Sequence, residues 1–406
     1  MTYGIKRRSF GLRISAANAV AIQFCNVSRN SNAPVSAAYA FDNNGESACG
    51  EMPGSSPAMV TCLPVRLVLI VLLAAAAAQR INAPTSASLR GLSVVNDKVV
   101  WASGTEGTVI RTTDGGKNWS VMTVPGAEKL DFRGIHAFDA DTAVIISSGP
   151  AEKGQARIYR TTGAGKNWKQ VYEQKTPGIF LDAIAFWDRK GGVVLSDPVD
   201  GHFVLFITSD GGETWKQLSP SVLPPALPNE GAFAASNSCL TVHGRSDVWF
   251  ATGGASVARV FHSGDRGKTW SVAETPIHPK NSSSGIFSLA FANAKDGIAG
   301  GGDYQSPERS DVPNVLRTHD GGRTWQAFSP THPSGIYFSS VAIDHHQIVV
   351  AAIKGLWIHS GAWKQESTDN LNTVECRHGT CWTVGPKGVV LKMSSAGQDL
   401  NAHVPM

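Results

Sequence analysis

The chain has 406 residues, of which 17% are charged and 42% are hydrophobic, proportions that suit an ordinary globular protein. The formal net charge of +4 includes a basic N-terminal segment, so the charge balance gives no indication of nucleic-acid binding. The 12 histidines are scattered without metal-ligand spacing. We therefore expect neither a metal nor a cofactor, and no nucleic-acid partner.

The first 58 residues lack the sequence features of a folded domain. They are rich in Ser, Asn, Ala and Gly and show no sustained period of 2 or 3.6 residues. We predict that residues 1–58 are disordered, or that they precede the true start of translation. Met59 would then be the initiator methionine.

Residues 59–80 are predicted to be a secretory signal peptide. Arg66 precedes an apolar run, Leu67–Ala78, whose 12 residues are too few for a comfortable membrane span and which ends in small side chains. Cleavage is expected near Ala76–Gln79, giving a secreted or periplasmic protein without a stable membrane span. A membrane anchor and a buried helix are the alternatives, and Cys62 lies before the run, which argues against a lipoprotein anchor.

A nine-residue pattern ending in tryptophan then recurs along the chain. The tryptophans stand at 119, 168, 215, 270 and 325, with spacings of 49, 47, 55 and 55 residues. Such a period indicates a propeller or a solenoid. The five copies are Arg111–Trp119, Arg160–Trp168, Ile207–Trp215, His262–Trp270 and Arg317–Trp325.

The residues of each copy predict the tip of a β-hairpin. Asp-Gly-Gly supplies the positive φ angles of a tight turn, and the Asp with the preceding Ser or Thr can bond nearby backbone amides. The Trp begins the outgoing strand and covers the turn. The copy at 161–168 has Gly163 in place of the Asp, so we expect a less rigid turn. The structural residues of the other four are Asp114, Trp119, Asp210, Trp215, Asp265, Trp270, Asp320 and Trp325.

Ser263–Trp270 matches every position of Ser/Thr-x-Asp-x-Gly-x-Thr-Trp. This pattern resembles the Asp-box, or BNR repeat, of sialidases, sortilin-type receptors and photosystem II stability/assembly factors. The resemblance implies a β-propeller. It implies no particular function, because enzymes and non-enzymes share the box.

Residues 81–406 are predicted to form one all-β domain, a seven-bladed β-propeller with four-stranded antiparallel blades. Seven units each begin with a short apolar strand, continue with a second strand, and use the third and fourth strands to enter and leave a box. The first strand of the fourth unit is assigned to 232–240. We expect a strand near the N-terminus to complete the last blade, which removes exposed sheet edges. Six blades are the second choice.

The cysteines of the propeller allow one short bridge. Cys376 and Cys381 flank four residues, a spacing that a hairpin could bridge in an oxidising compartment, and a metal pair is the alternative. Cys239 is then unpaired and is expected to be buried in a strand.

Long loops on a rigid scaffold are where binding sites usually lie. Three such loops carry acids, at Asp197, Glu230 and Asp303. With Asp182 they could supply the two carboxylates of an exported glycoside hydrolase at the channel mouth. The Arg-Ile-Pro segment expected of a sialidase is lacking. This hydrolase, with a glycan as its partner, is the alternative function.

The resemblance to photosystem II stability/assembly factors covers residues 86–393. It implies a non-enzymatic lumenal or periplasmic propeller that holds a partner protein during membrane-complex assembly, with a role in photosynthesis. Arg90 in LRGL and Arg133 in FRGI match the arginine-bearing face. We therefore predict a monomeric protein-binding module, whose binding residues are Arg90, Arg133, Arg259, Asp182 and Tyr304.

Overall fold

A computed structural model describes the backbone of two short strands near the N-terminus and residues 78–308, 313–328 and 336–394 in full. The two short strands, β1 (Gln23–Val27) and β2 (Val35–Tyr39), pair antiparallel with each other. The rest of 1–58 and most of the predicted signal peptide, 59–77, lie outside the described residues. The disorder of 1–58 and the signal peptide stay predictions.

The predicted seven-bladed β-propeller is confirmed. Seven antiparallel sheets of four strands follow one another, with the first strand of each blade at the centre of the ring. Blades 1–3 consist of β4–β7 (Leu89–Val94, Val100–Gly104, Thr108–Thr112, Ser120–Thr123), β8–β11 (Phe132–Ala137, Ala143–Ser147, Ala156–Thr161, Lys169–Gln174) and β12–β15 (Leu181–Phe186, Gly192–Val199, His202–Thr208, Lys216–Gln217). Blades 4 and 5 consist of β16–β19 (Leu240–His243, Asp247–Ala251, Arg259–Ser263, Ser271–Glu274) and β20–β23 (Ser284–Phe291, Gly297–Asp303, Val315–Thr318, Gln326–Ala327). Blade 6 consists of β24–β27 (Phe338–Asp344, Gln347–Ala352, Gly355–His359, Trp363–Ser367). Short 3-10 turns in the described part of the chain include Ala151–Lys153, Pro220–Val222 and Pro386–Gly388.

Blade 7 closes the ring with a strand from the other end of the domain. Its own chain segment provides β28 (Thr373–Arg377), β29 (Thr380–Val384) and β30 (Val389–Ser394), and β3 (Gln79–Asn82) pairs with β30 as the outermost strand. The predicted N-terminal closing strand is therefore present. Among the described helices, none has the length and apolar character to cross a membrane.

The hydrophobic core of the propeller is divided among the blade interfaces. Seven clusters of buried apolar side chains are found in the described residues, and each cluster joins two neighbouring blades. The cluster between blades 7 and 1, for example, packs Leu89 and Ile110 against Trp382 and Val390. A blade can bury both of its faces only if it has a neighbour on each side, so packing itself favours a closed ring.

The boxes are hydrogen-bonded hairpin tips, as their residues predict. In the fourth copy the Ser263 hydroxyl donates to Asp265 Oδ1 over 2.8 Å and accepts the Gly267 amide over 2.8 Å. Asp265 also accepts the amides of Lys268 and Thr269 at 2.9 Å each. In the first copy, hydrogen bonds from Asn118 hold the pKa of Asp114 at about 2, well below its usual value.

The box tryptophans differ in burial and in bonding. The indole N–H groups of Trp215, Trp270 and Trp325 donate to the carbonyl of the second box glycine or its equivalent. Those of Trp119 and Trp168 have no acceptor among the described residues. Trp325 is only 5% exposed, whereas Trp270 is half-buried.

Blade 4 begins later than the sequence pattern indicates. The sequence predicts the first strand at 232–240, but β16 starts at Leu240, and the residues before it form no strand. Their Ser and Asn side chains bond to the backbones and hydroxyls of other blades instead, at the centre of the ring. Cys239 is buried in the turn before β16, and Cys376 and Cys381 form a disulfide across the β28–β29 hairpin.

Replacing Trp325 by Ala should destabilise the propeller more than the same change at Trp270. Both indoles donate over 3.1 Å to a box carbonyl, so the pair isolates the effect of burial. Removing a buried aromatic side chain costs about 3–5 kcal/mol, and less where part of the ring already contacts water. Thermal melting followed by circular dichroism measures the difference, and an equal or larger loss for Trp270→Ala would contradict it.

Candidate functional site

A β-bulge recurs near the start of the first strand in five blades. In each, one residue has no partner on the second strand, and the register shifts around it. A bulge re-aims the side chain of the extra residue. The five bulged residues, Arg90, Arg133, Asp182, Phe287 and Ser339, all line one cavity of about 500 Å³ at the start of the inner strands, and we name it the mouth cavity.

One side of the mouth cavity is basic. Arg90 donates from Nη1 to the carbonyl of Ala235 over 3.4 Å, while its Nε has no acceptor among the described residues. Arg133 donates from Nε to Asp131 over 2.7 Å and from Nη1 to Ala234 over 3.4 Å. Burial and the neighbouring Arg133 lower the pKa of Arg90 from its usual value. Two guanidinium groups on a rigid frame can bind a carboxylate with paired hydrogen bonds.

The next side of the cavity is acidic. Asp182 is 1% exposed, and its Oδ2 has no hydrogen-bond partner among the described residues. Asp197, at the end of β13, accepts the Ala232 amide over 2.9 Å. Burial, and then the charge of Asp197, raises the pKa of Asp182 well above its usual value. Burial raises the pKa of Asp197 to about 6.

The remaining side is aromatic. Phe233 stacks on Phe287 with ring centroids 3.9 Å apart, and the edge of Tyr337 meets Phe287 at 4.7 Å. Tyr304 lies edge-on to the same stack and is 48% exposed, and Ile353 adds a further exposed apolar side chain. An open apolar surface beside fixed charges is typical of a ligand site.

Residues 233–238 form the floor of the mouth cavity, and we name them the plug. Asn237 accepts the Ile184 amide over 2.8 Å and donates to the Ile184 carbonyl over 3.1 Å. Ser236 donates to the Ser339 carbonyl over 2.7 Å, and Ser238 bonds Ser288 over 2.7 Å. The plug is thus held by several blades and separates the mouth cavity from a second cavity behind it.

Two of the predicted site residues stabilise a loop and do not line the mouth cavity. Glu230 and Arg259 form a buried ion pair outside the mouth cavity, with 2.9 Å between Arg259 Nε and Glu230 Oε1. Glu230 also accepts the Thr252 hydroxyl at 2.6 Å and the Leu227 amide at 2.8 Å. Together these bonds fix the loop that leads to Ala232 and the plug.

Asp303 also lies outside the mouth cavity. It accepts the Ser283 hydroxyl over 2.6 Å and the Gln305 amide over 3.0 Å, and so it caps the loop after β21. The mouth cavity therefore brings together Arg90, Arg133, Asp182, Asp197 and Tyr304, but not Glu230, Arg259 or Asp303.

The sequence reasoning missed Phe233, Phe287, Tyr337, Ser339 and the plug. Ser339 could have been found, because it follows the first residue of an inner strand as Arg90 and Arg133 do, whereas Phe287 is the fourth residue of β20 and lacks this signal. The plug, including Phe233, carries no comparable signal, because its sequence pattern predicts a strand.

The second cavity, of about 650 Å³, lies on the plug's other side, at the far ends of the inner strands. Its wall includes Glu375, whose carboxylate accepts the Val94 amide over 3.1 Å, and His136. Burial raises the pKa of Glu375 to about 7 and lowers that of His136 to about 4, and Arg377 adds to the effect on His136. No cluster of three or more metal-ligating side chains occurs in the described parts of the chain.

Sequence comparison supports the resemblance that the boxes indicate. No protein-family model matches the chain. The photosystem II stability/assembly factor HCF136 of Arabidopsis thaliana chloroplasts is 27% identical over 117 residues, which are 28% of this chain and 26% of that protein. The match thus spans about a quarter of the curated relative's length.

Solved structures share the fold. YCF48 bound to a D1 peptide superposes with a TM-score of 0.57 and 16% identity, over 78% of this chain and 96% of that one. YCF48 from Cyanidioschyzon merolae gives 0.55 and 18%, over 79% and 99%. U3-55K gives 0.55 and 12%, over 78% and 98%. The chain therefore resembles the photosystem II assembly-factor propellers, and at these identities the superpositions show the fold alone.

Glu375→Gln should stabilise the protein relative to wild type by an amount that grows with pH. The folded-state pKa of about 7 lies above the usual 4.5, so the folded protein retains a proton that the unfolded chain releases. Wild-type stability from this group is full below pH 4.5 and is lost as pH rises towards 7. The gain should approach at most about 3 kcal/mol near neutral pH.

Melting curves of both proteins between pH 5 and 8 measure this difference. Comparing variant with wild type cancels the opposing contribution of His136, whose lowered pKa weakens the fold as pH falls. A stability difference that stays constant across this range would show that Glu375 is not held in a desolvated site.

Proposed function

We propose that this chain is an exported, non-enzymatic β-propeller that binds an extended segment of a partner protein in the mouth cavity. The observation that carries the proposal is the convergence of bulged side chains from separate blades on one open cavity, with two guanidinium groups beside an aromatic surface. Blades that are packed on both sides hold these groups in place before a ligand arrives, which lowers the entropy lost on binding.

The chemistry of the cavity suits a peptide better than a purely apolar or purely charged ligand. Arg90 and Arg133 can hold a carboxylate, from a side chain or a chain terminus, while Phe287 and Tyr304 offer a surface for neighbouring apolar side chains. The similar propeller YCF48 has been solved bound to a D1 peptide, which supports a polypeptide as the class of ligand.

Export is proposed from the segment before the propeller. The apolar run Leu67–Ala78 ends where β3 begins at Gln79, so cleavage near Ala76–Gln79 would leave the closing strand intact. N-terminal sequencing of protein recovered from the periplasm or medium of an expressing cell reads the cleavage point. A mature chain that still contains Leu67 would contradict the signal peptide.

The double variant Arg90→Gln/Arg133→Gln should lose peptide binding while keeping its fold. The probes are random hexapeptides displayed with free carboxyl termini, and the affinity of peptides selected by wild type is then measured by calorimetry. Loss of a charged hydrogen-bonding partner costs about 1.5–3 kcal/mol, so each arginine should contribute roughly a tenfold or larger change in Kd.

The matched control is Arg245→Gln/Arg323→Gln. Both control arginines are exposed and lie outside the mouth cavity, and the change in net charge is the same. If both double variants bind the selected peptides as tightly as wild type, the arginines of the mouth cavity are not the binding groups. If wild type selects no peptide, the proposed function is wrong.

A glycoside hydrolase is the second candidate, and one observation favours it. Asp182 and Asp197 lie in one cavity, and the charge of Asp197 helps to raise the pKa of Asp182, so one carboxyl can hold a proton while the other is ionised, as an acid–base pair requires. Glu230 and Asp303 are held in other contacts and would not take part. Turnover of aryl glycosides by wild type, abolished in Asp182→Asn, would favour the hydrolase. Absence of turnover with retained peptide binding would favour the binding module.

A further inference from the structure

The carboxyl groups of Asp182 and Asp197 stand out because no described residue neutralises them. Asp182 lies on a bulge of β12 and Asp197 at the end of the paired strand β13, so the two acids lie side by side on blade 3. Neither forms a salt bridge with a described residue, and Oδ2 of the almost fully buried Asp182 lacks a hydrogen-bond partner there. Both acids line the mouth cavity.

The nearby cations are engaged elsewhere. Arg133 faces Asp182 from β8, yet its Nε donates to Asp131 over 2.7 Å and its guanidinium lies 5.9 Å from the Phe180 ring. Arg259 does not line the mouth cavity and forms an ion pair with Glu230. The titratable and charged groups that face the acid pair or share its cavity are Arg90 from β4, Arg133 from β8, Cys239 before β16, Tyr304 after β21 and Tyr337 before β24. Asp131, before β8, is the ion-pair partner of Arg133.

An ionised carboxylate in such a place is unfavourable unless a cation joins it. Desolvation disfavours the charge, and the like charge of the second acid adds to the penalty. A cation that enters the cavity would offset both effects and would give Asp182 Oδ2 a hydrogen-bond donor. The raised pKa values of both acids agree with this environment.

We propose that recognition in the mouth cavity is bipolar, with Arg90 and Arg133 holding an anionic group and Asp182 and Asp197 taking up a cationic group of the same polypeptide segment. This inference rests on the proposed function and specifies its ligand as a segment that carries both charges. The Phe233–Phe287 stack and Tyr304 lie along the same cavity, where they can cover the apolar stem of a lysine or the plane of an arginine.

The first test compares what four proteins select from one library. Random hexapeptides with free carboxyl termini are displayed to wild type, Asp182→Asn/Asp197→Asn, Arg90→Gln/Arg133→Gln and the control Asp200→Asn, an exposed acid in the turn that follows β13. Wild type and the control should enrich Lys or Arg at one position about tenfold over the input, which corresponds to about 1.4 kcal/mol. The aspartate variant should lose this enrichment but keep its carboxylate requirement. A parallel library with acetylated amino termini separates side-chain cations from the terminal ammonium group.

The second test measures the charge directly. A selected peptide and its Lys→norleucine analogue, or Arg→citrulline analogue, are titrated into each protein. The analogue should bind wild type about tenfold more weakly and should bind the aspartate variant as tightly as the parent peptide does. Binding of the parent should weaken as pH falls through about 6, because protonation of Asp197 removes the acceptor charge. An anion-only site would show the opposite trend.

The aspartate variant is expected to remain folded, so a change in its peptide selection reports on binding. Asp→Asn keeps the side-chain size and removes buried charge, so the aspartate variant should melt at or above the wild-type temperature. Selection of carboxylate peptides without basic residues, with equal affinity for wild type and the aspartate variant, would overturn bipolar recognition and leave peptide binding intact. Failure of wild type to select any peptide would overturn both.

Discussion

The packing of each blade against two neighbours is the constraint on which the rest of the structure depends. Seven apolar clusters lie between the blades in the described residues, so a blade at an open end would expose one face to water. The pairing of Gln79–Asn82 with Val389–Lys392 closes the ring and joins the two ends of the domain. The boxes serve the same constraint, because each turns the chain into an outer strand and places a tryptophan against an interblade cluster, as Trp215 and Trp325 show.

Ring closure brings seven inner strands together around one axis, and this convergence creates the functional site. The bulge recurs in the inner strands of five blades, and each bulged residue lines the mouth cavity. Side chains that are far apart in the sequence therefore meet there. The plug then closes the cavity from below. Its carbonyls at Ala234 and Ala235 accept hydrogen bonds from Arg133 and Arg90, so the floor also orients the two arginines. A rigid frame with a variable residue at each bulge allows the same fold to carry different ligand sites.

The repeat and the turn chemistry were sufficient to predict the blades, their number and the closing strand. They also predicted equivalent positions for Arg90 and Arg133 beside the first strands of blades 1 and 2, and the structure shows that Asp182 holds the same position in blade 3. The start of blade 4 could not be predicted in this way. Its Ala-, Ser- and Asn-rich residues 232–239 have the alternation of a short strand, and only their hydrogen bonds to distant blades, such as Asn237 to Ile184, show that they form a plug. Sequence spacing also could not predict which acids line the cavity and which form structural contacts. The hydrogen-bond partners that decide this lie more than 20 residues away in the sequence.

Two buried acids, Glu230 and Asp182, have different surroundings, and the difference identifies the part of the molecule that faces a ligand. Glu230 is 5% exposed and Asp182 is 1% exposed, so both carboxyl groups are removed from water to a similar extent. Glu230 receives a guanidinium, a hydroxyl and a backbone amide, and removing one member of such a buried pair typically costs about 3–5 kcal/mol. Asp182 has a second acid, Asp197, where Glu230 has an arginine. A fold that satisfies one buried acid so completely could have placed a cation beside the other, and packing alone gives no reason for two adjacent acids at the edge of an open cavity. Their lack of a salt-bridge partner is therefore better explained by a group that arrives from outside the chain than by a role in folding.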